Sequence, residues 1–305
     1  MKKLLMMLIA LPMLMMSCND EMALSEETVE VSFEAEIPAF VGTRAGDGLT
    51  VNKLVCAVFE NGQEIKGHRT TIPVNSASGI KYSPRLVKGR TYQVVFWAMK
   101  DANYNVDNLT AISRSTTGST NEADYDAFTA TVETNVDNST SVPVTLTRPL
   151  AQLNIGITED DWNAVANSAT FNQTPASCTI TYTARDTFNA LIGEAVGPII
   201  PTVIRTSTAG GTLTVVDNNG NSADFKRLGS YYVLMAEENQ ATIDITYSVV
   251  DSNDSPIREN VLIPFVPMQR NYKTNIVGGL LTGTVNYNVT ISEGFNTEEN
   301  NKTIE

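Results

Sequence analysis

Chemistry needs convergent side chains, and this 305-residue chain offers few sets that could supply it. It has one histidine, His68, within 64-EIKGHRT-70. A Ser-His-Asp arrangement would have to run through that imidazole, which has no nucleophile motif beside it. Phosphate loops, His/Cys metal spacings and cofactor fingerprints do not occur, so neither a metal nor a cofactor is expected. The segment 217-DNNGNSAD-224 sets out oxygens at Asp217, Asn219, Asn221 and Asp224 in the manner of a calcium loop. It lacks the sixth-position glycine and the distal glutamate of such loops, and its Asn-Gly pair suits a type I′ hairpin. The chain reads as a non-enzyme. Two chemistries remain that would act on the chain itself. One is acylation of the Cys18 thiol; the other is proteolysis after Arg44, the first basic residue following Lys3, at the Arg44–Ala45 bond.

The segment that positions Cys18 is MKKLLMMLIALPMLMMSC. A basic start and an apolar run of about a dozen residues suit a signal peptide and are short for a membrane span. The abrupt stop at Ser17-Cys18 resembles a bacterial lipoprotein signal, with lipid on Cys18; a plain secretory signal is the alternative. Acidic residues follow at Asp20, Glu21, Glu26 and Glu27, as in the surface-export signal of Bacteroidetes lipoproteins. The expected place is the outer membrane, facing outward. Net charge is -13 with no Lys/Arg cluster, which excludes a nucleic-acid footprint.

The segment ahead of Arg44 is 28-TVEVSFEAEIPAF-40. Val29, Val31, Phe33, Ala35 and Ile37 alternate with polar residues, the period of a half-buried strand. Similar runs recur with almost no helical periodicity, so the fold class is all-β, in sandwiches. Strands are expected at 29–37, 52–59, 91–99, 127–133, 141–147, 151–157, 177–184, 212–216, 231–235, 241–250, 259–265 and 284–291. The run 91-TYQVVFWAMK-100 is apolar on both faces and reads as a central strand covered on both sides. Turns of type I′ are expected in 60-ENGQ-63 and 217-DNNGN-221. One helix fits 158-TEDDWNAVAN-167, capped by Thr158, with Trp162 facing the core. The connections 101–126 and 185–211 are expected to be long loops.

A boundary at 147-TRP-149 divides the chain into a signal peptide 1–17, an acidic tether with first strand 18–44, a sandwich 45–147, a second sandwich 148–292 and a polar tail 293–305. Cys56 and Cys178 sit in separate apolar runs and read as buried thiols rather than a bridge. Trp97 and Trp162 read as core. Tyr104 and Tyr125, in the 101–126 loop, are expected to be exposed and available to a glycan.

The pieces together carry a resemblance. The lipoprotein signal, the early strand followed by Thr-Arg-Ala, the VVFWA strand, 144-VTLTRPLAQLNIGI-157 and 267-PMQRNYKTNIVGGLLTGTVNYNVTI-291 resemble the fimbrillin-like, type V pilin-related surface lipoproteins of Bacteroidetes, in their cell-adhesion branch. The resemblance covers nearly the whole chain; its most specific parts are the Arg-x-x-Ala element and the RNYKTNIVGGLLT block. It implies two transthyretin-like sandwiches in tandem, cleavage after Arg44 to leave Ala45 first, loss of the strand carrying Val29, Val31, Phe33 and Ile37, and assembly with other pilus subunits by strand exchange. Contact with a host or bacterial surface receptor would follow. The run with Val285, Tyr287, Val289 and Ile291 could be the donor strand or an ordinary strand of its own sandwich. Shaft, tip, accessory and anchor roles all stay open, as does a monomeric glycan-binding lipoprotein.

Overall fold

The computed structural model of the chain describes residues 26–38, 50–115, 118, 121–167, 173–207, 210–216, 221–234, 240–292 and 301–303. Its first strand, β1 (Thr28–Glu36), follows the alternation of the sequence: Val31, Phe33 and Ala35 are buried while Glu30, Glu34 and Glu36 face solvent. The other strands before residue 147 are β2 (Lys53–Glu60), β3 (Gln63–Glu64), β4 (Thr70–Pro73), β5 (Ile80–Tyr82), β6 (Arg85–Val87), β7 (Thr91–Met99), β8 (Tyr104–Asn105), β9 (Ile112–Arg114), β10 (Ala127–Asn135) and β11 (Thr140–Thr145). Next come β12 (Leu150–Ile157), helix α1 (Glu159–Ala166), β13 (Ser177–Asn189), β14 (Glu194–Ser207), β15 (Thr212–Val216), β16 (Ser222–Leu234), β17 (Ala241–Val250), β18 (Pro256–Met268), β19 (Lys273–Gly279), β20 (Asn286–Ser292) and β21 (Asn301–Thr303).

The strands form two sandwiches. In the first, β1 lies between β11 and β5, with β6 also on β1, and faces a sheet ordered β10-β7-β2-β3 in which β4 pairs β2. In the second, a sheet ordered β15-β16-β12-β19-β20-β21 faces one ordered β18-β17-β13-β9-β8, with β14 on β13. The all-β reading therefore holds. The turn after β2 is of the expected kind: Asn61 and Gly62 both take positive φ, 51° and 77°, so the β2-β3 hairpin closes as Asn-Gly hairpins do. Helix α1 starts where its cap predicts, the Thr158 hydroxyl accepting from the Asp161 amide at 3.2 Å.

Three apolar clusters are found among the described residues. Val31, Phe33, Leu54, Cys56, Phe96 and Leu146 belong to the core of the first sandwich. Leu153, Ile155, Cys178, Tyr231, Tyr247 and Ile276 belong to that of the second. The third cluster joins the far face of β2 and β7 (Val55, Phe59, Val95, Trp97) to Leu150, Phe188, Tyr232 and Leu234 of the later strands. That explains the two-sided apolar pattern of β7, because one of its faces looks into a sandwich and the other onto the next sandwich. Cys56 and Cys178 are buried and unpaired, in different cores.

Two expected loops are structured. The connection 101–126 contributes β8 and β9, and β9 pairs Phe188 and Thr187 of β13, so an early segment completes a sheet of the second sandwich. The connection 185–211 holds the end of β13 and most of β14. Gly193, Gly197, Pro198 and Pro201 hid that strand, yet it is an outer strand, where proline costs no ladder bond. Gly197 takes φ 82° beside the register shift between Arg185 and Thr187, the place of a bulge. Strand β19 was also missed, since its residues from Lys273 to Val277 are buried without alternation.

Phe33 is fully buried and packs against Phe96 with ring centroids 5.7 Å apart. Phe33→Ala is expected to cost about 3–5 kcal/mol of unfolding free energy, measured by urea denaturation.

Candidate functional site

Two places follow from the sequence reading: the slot of β1 and the junction where 101–126 crosses between sandwiches. β1 pairs along both edges. Val31 to Glu36 run parallel to Thr140 to Thr145, while Phe33 to Ala35 run antiparallel to Tyr82 to Ile80 and Thr28 to Glu30 lie against Val87 to Arg85. Val31, Phe33 and Ile37 are buried and Val29 is half-buried. Cys18, Arg44 and Ala45 lie outside the described residues. Of the run at 285–291, Ile291 is buried, and Val285, Tyr287 and Val289 pack half-buried on the second core. Strand β20 sits between β19 and β21, an inner position in its own sheet.

Tyr104 and Tyr125 correct the sequence reading: they are buried, not exposed. The Tyr104 hydroxyl donates to the Tyr125 carbonyl at 2.6 Å, and its ring meets Trp97 edge-on at 5.4 Å. The cause is a 3-10 turn, Glu122–Tyr125, that folds the connection back on the third core. Neither ring is free to stack on a sugar. Trp97 is wholly buried, and Trp162 packs half-buried on the second core. His68 is half-buried in its loop, where its carbonyl accepts from the Tyr82 hydroxyl. Among the described residues no three His, Cys, Asp or Glu side chains converge as metal ligands. Of the acidic loop, Asp217 and Asn219 fall outside the described residues, and Asp224 accepts from the Thr214 hydroxyl at 2.7 Å.

The junction is held by buried charges. Arg148 grips Asp126 through Nε and Nη2 at 2.7 and 2.8 Å, both side chains 1% exposed, and lies over the Phe128 ring. Lys100 meets Asp124 at 2.6 Å. Arg114 donates to both oxygens of Glu122, at 2.5 and 2.9 Å, and also to the Tyr232 carbonyl at 3.0 Å. The Tyr232 amide in turn supports the Glu122 carboxylate. The ion pair thus serves one residue of β16 as a neighbouring strand would, supplying a donor and an acceptor beyond the end of its pairing with β15. The Arg114 guanidinium also lies 3.6 Å from the Tyr125 ring centroid.

Beside this pair is a cleft of about 200 Å³, lined in part by Glu122, Gln152, Arg227, Ser230 and Tyr232. Gln152 and Tyr232 are direct cross-strand partners, each 1% exposed. Gln152 Nε2, Ser230 Oγ and Tyr232 Oη are closed to solvent and make no hydrogen bond among the described residues. Sequence reasoning missed these residues because Gln152 alternates with apolar neighbours in β12, which reads as the wet face of a strand.

Burial pushes the Glu122 carboxyl up to about 7, with Arg114 pulling it back. A carboxyl with a raised folded pKa binds more protons folded than unfolded between its two values. Its contribution is therefore complete below the unfolded value near 4.5 and is lost as pH rises through 7. Across that window Glu122→Gln is expected to flatten the fall of stability with pH, by up to roughly 3 kcal/mol; denaturation midpoints of both proteins at several pH values measure it.

The two-sandwich fold is similar to that of solved structures. A putative adhesin from Bacteroides thetaiotaomicron aligns with a TM-score of 0.50 at 10% identity, over 87% of this chain and 96% of that one. A fimbrial assembly protein from Parabacteroides distasonis aligns at 0.45 and 14% identity, over 92% and 100%. The fimbrial anchor protein Mfa2 from Porphyromonas gingivalis aligns at 0.41 and 11%, over 86% and 97%. Comparison with curated proteins gives no match. The model of one sequence family, a family of unknown function (DUF6562), matches residues 22–305, nearly the whole chain, and the protein belongs to that family.

Proposed function

We propose that the chain is a cell-surface adhesin associated with fimbriae, carried to the outer membrane by lipid on Cys18, cleaved after Arg44 and joined to other subunits by strand exchange. The observation that supports this reading best is the position of β1. A strand ahead of the single Arg44 site occupies the middle of a sheet, so its loss would bare two ladder edges and an apolar groove at once. Four large side chains, Val29, Val31, Phe33 and Ile37, leave with it. At about 1.5–3 kcal/mol each this is roughly 6–12 kcal/mol as an upper bound, against a whole-domain stability of about 5–15 kcal/mol. An extended segment from a neighbour, with apolar residues at alternate positions, would restore both the hydrogen bonds and the burial. The fold shared with a putative adhesin and the resemblance to fimbrillin-like proteins point the same way.

The boundary near residue 147 belongs to the same reading: the sandwich 45–147 would accept the strand, while 148–292 stays closed. The placement of β20 within its own sheet favours its role there over that of a donor, because donation would first remove it from between β19 and β21. The alternative of a glycan-binding monomer loses its proposed contacts, since Tyr104 and Tyr125 are buried.

Protein shaved from intact cells is expected to begin at Ala45 and to run as a ladder on mildly denaturing gels. Arg44→Ala is expected to retain residues 28–36 and abolish the ladder. Amino-terminal sequencing that found residues 28–36 in assembled material would overturn the reading.

A further inference from the structure

Among the described residues, the large apolar side chains that stand open to solvent fall within 192–203 or 262–265. Several of them share one surface, the outer face of the strands β14, β13, β17 and β18. A single row crosses all four strands there: Val203 stands opposite Thr181, Thr181 opposite Thr246, and Thr246 opposite Leu262. Val203 and Leu262 are 65% and 56% exposed, whereas the alternate row through Ile204, Ile180 and Tyr247 is buried. Ile199, 63% exposed, and Phe265, 75% exposed, extend the two margins in the same direction along the strands. Phe265 is held outward by a bulge, because the register shifts between Ile243 and Ile245 and leaves both Pro264 and Phe265 opposite Asp244. Its φ of 57° is one that a bulky residue rarely adopts, and the Asp244 carboxylate accepts from its amide at 3.0 Å. A backbone strained to display an aromatic ring to water marks a contact surface.

The charges on this face are sorted. Arg185 and Arg205 lie on β13 and β14, whereas Asp244 and Glu259 lie on β17 and β18, and all four are exposed. One half is therefore basic and the other acidic, in a chain of net charge -13 whose copies otherwise repel each other. The surface that complements such a face is the same face turned over. We propose that two copies of this chain pair through it, about a two-fold axis that runs parallel to the strands between β13 and β17. That operation keeps each residue at its level along the strands and lays β14 on the partner's β18 and β13 on the partner's β17. The strands of the two sheets stay aligned, as packed sheets do. Val203 then meets the partner's Leu262, Thr181 meets the partner's Thr246, and Pro201 and Ile199 flank the partner's Phe265. Arg185 sits diagonally across from the partner's Asp244. Arg205, which already bridges to Asp254, lies over the partner's Glu259. Four strands at about 4.8 Å spacing span only about 19 Å, a small footprint, so the expected association is micromolar. Neither β1 nor Arg44 takes part, and the pairing stands or falls separately from strand exchange.

Sedimentation velocity of the full chain over a range of about 1–200 μM tests the pairing, with a monomer–dimer equilibrium of Kd about 10–100 μM expected. The same equilibrium is expected in Arg44→Ala, which separates this contact from any that needs processing. Leu262→Asp and Val203→Asp, both at exposed positions, are each expected to keep the fold by circular dichroism and to weaken the dimer by about tenfold or more. The register is read by cross-linking in a Cys18→Ser background. Oxidation of a mixture of Val203→Cys and Leu262→Cys proteins is expected to give a disulfide-linked pair that neither protein gives alone, since each position meets the other and not itself. A chain that stays monomeric across the range, including one that takes up a polysaccharide on this face instead, would overturn the proposal. So would a dimer that both folded Asp variants leave unchanged, or cross-linking no greater in the mixture than in the separate proteins.

Discussion

Strands β7 and β2 are covered on both faces, and the remaining architecture follows from that. An antiparallel sheet commonly packs on one side and is solvated on the other. Here Val94, Phe96 and Ala98 of β7 face one core while Val95, Trp97 and Met99 face another. Large apolar surface on both sides must be covered from both sides, at a gain of about 25 cal/mol per Å² removed from water. The first cover is the sheet containing β1. The second is built from Leu150, Phe188, Tyr232 and Leu234 of the later strands, together with the folded-back connection 101–126. Tandem sandwiches are thereby fused across a continuous apolar layer.

A segment buried between two sandwiches brings its polar backbone with it, and the charged pairs answer that need. The Arg148–Asp126 pair ties the end of the 3-10 turn to the start of β12 with two hydrogen bonds. Pairs so thoroughly desolvated add little net stability against an apolar pair of equal volume, but leaving one partner alone is costly. Arg114 and Glu122 do the same at the β16 edge. Asp161, at the head of α1, receives the amides of Leu280, Leu281 and Thr282 at 2.7, 2.7 and 3.0 Å, so one helix carboxylate fixes the turn after β19. Arg114, Glu122 and Asp161 each sit where a crossing segment would otherwise leave backbone groups unmet.

The outer face of the β12 sheet shows the same principle with neutral groups. Asn154 stands opposite Ser230 on β16 and Asn275 on β19, and Asn275 stands opposite Thr290 on β20. Asn154 donates to Asn275 at 2.8 Å. Gln152, two residues before Asn154 on the same strand, carries this polar row to the cleft. The first sandwich offers a different kind of surface: β1 holds two ladders through a short alternating segment.

Local pattern determined much of this molecule. Alternation in β1 and in β17, the two apolar faces of β7, the Asn61-Gly62 turn and the Thr158 cap each involve side chains a few residues apart, so their periodicity carries the information. The slot of β1 was partly legible for the same reason, through Val31 and Phe33. The tertiary structure alone decided what covers each face. Tyr104 and Tyr125 have polar, loop-like neighbours in sequence, and only the return of the chain across the third core buries them. Gln152, Tyr232, Arg227 and Glu122 meet in one cleft from strands and a turn up to about a hundred residues apart. No spacing along the chain encodes that meeting, because burial is a property of what lies across the gap, whereas periodicity reports only which side of an element a residue is on.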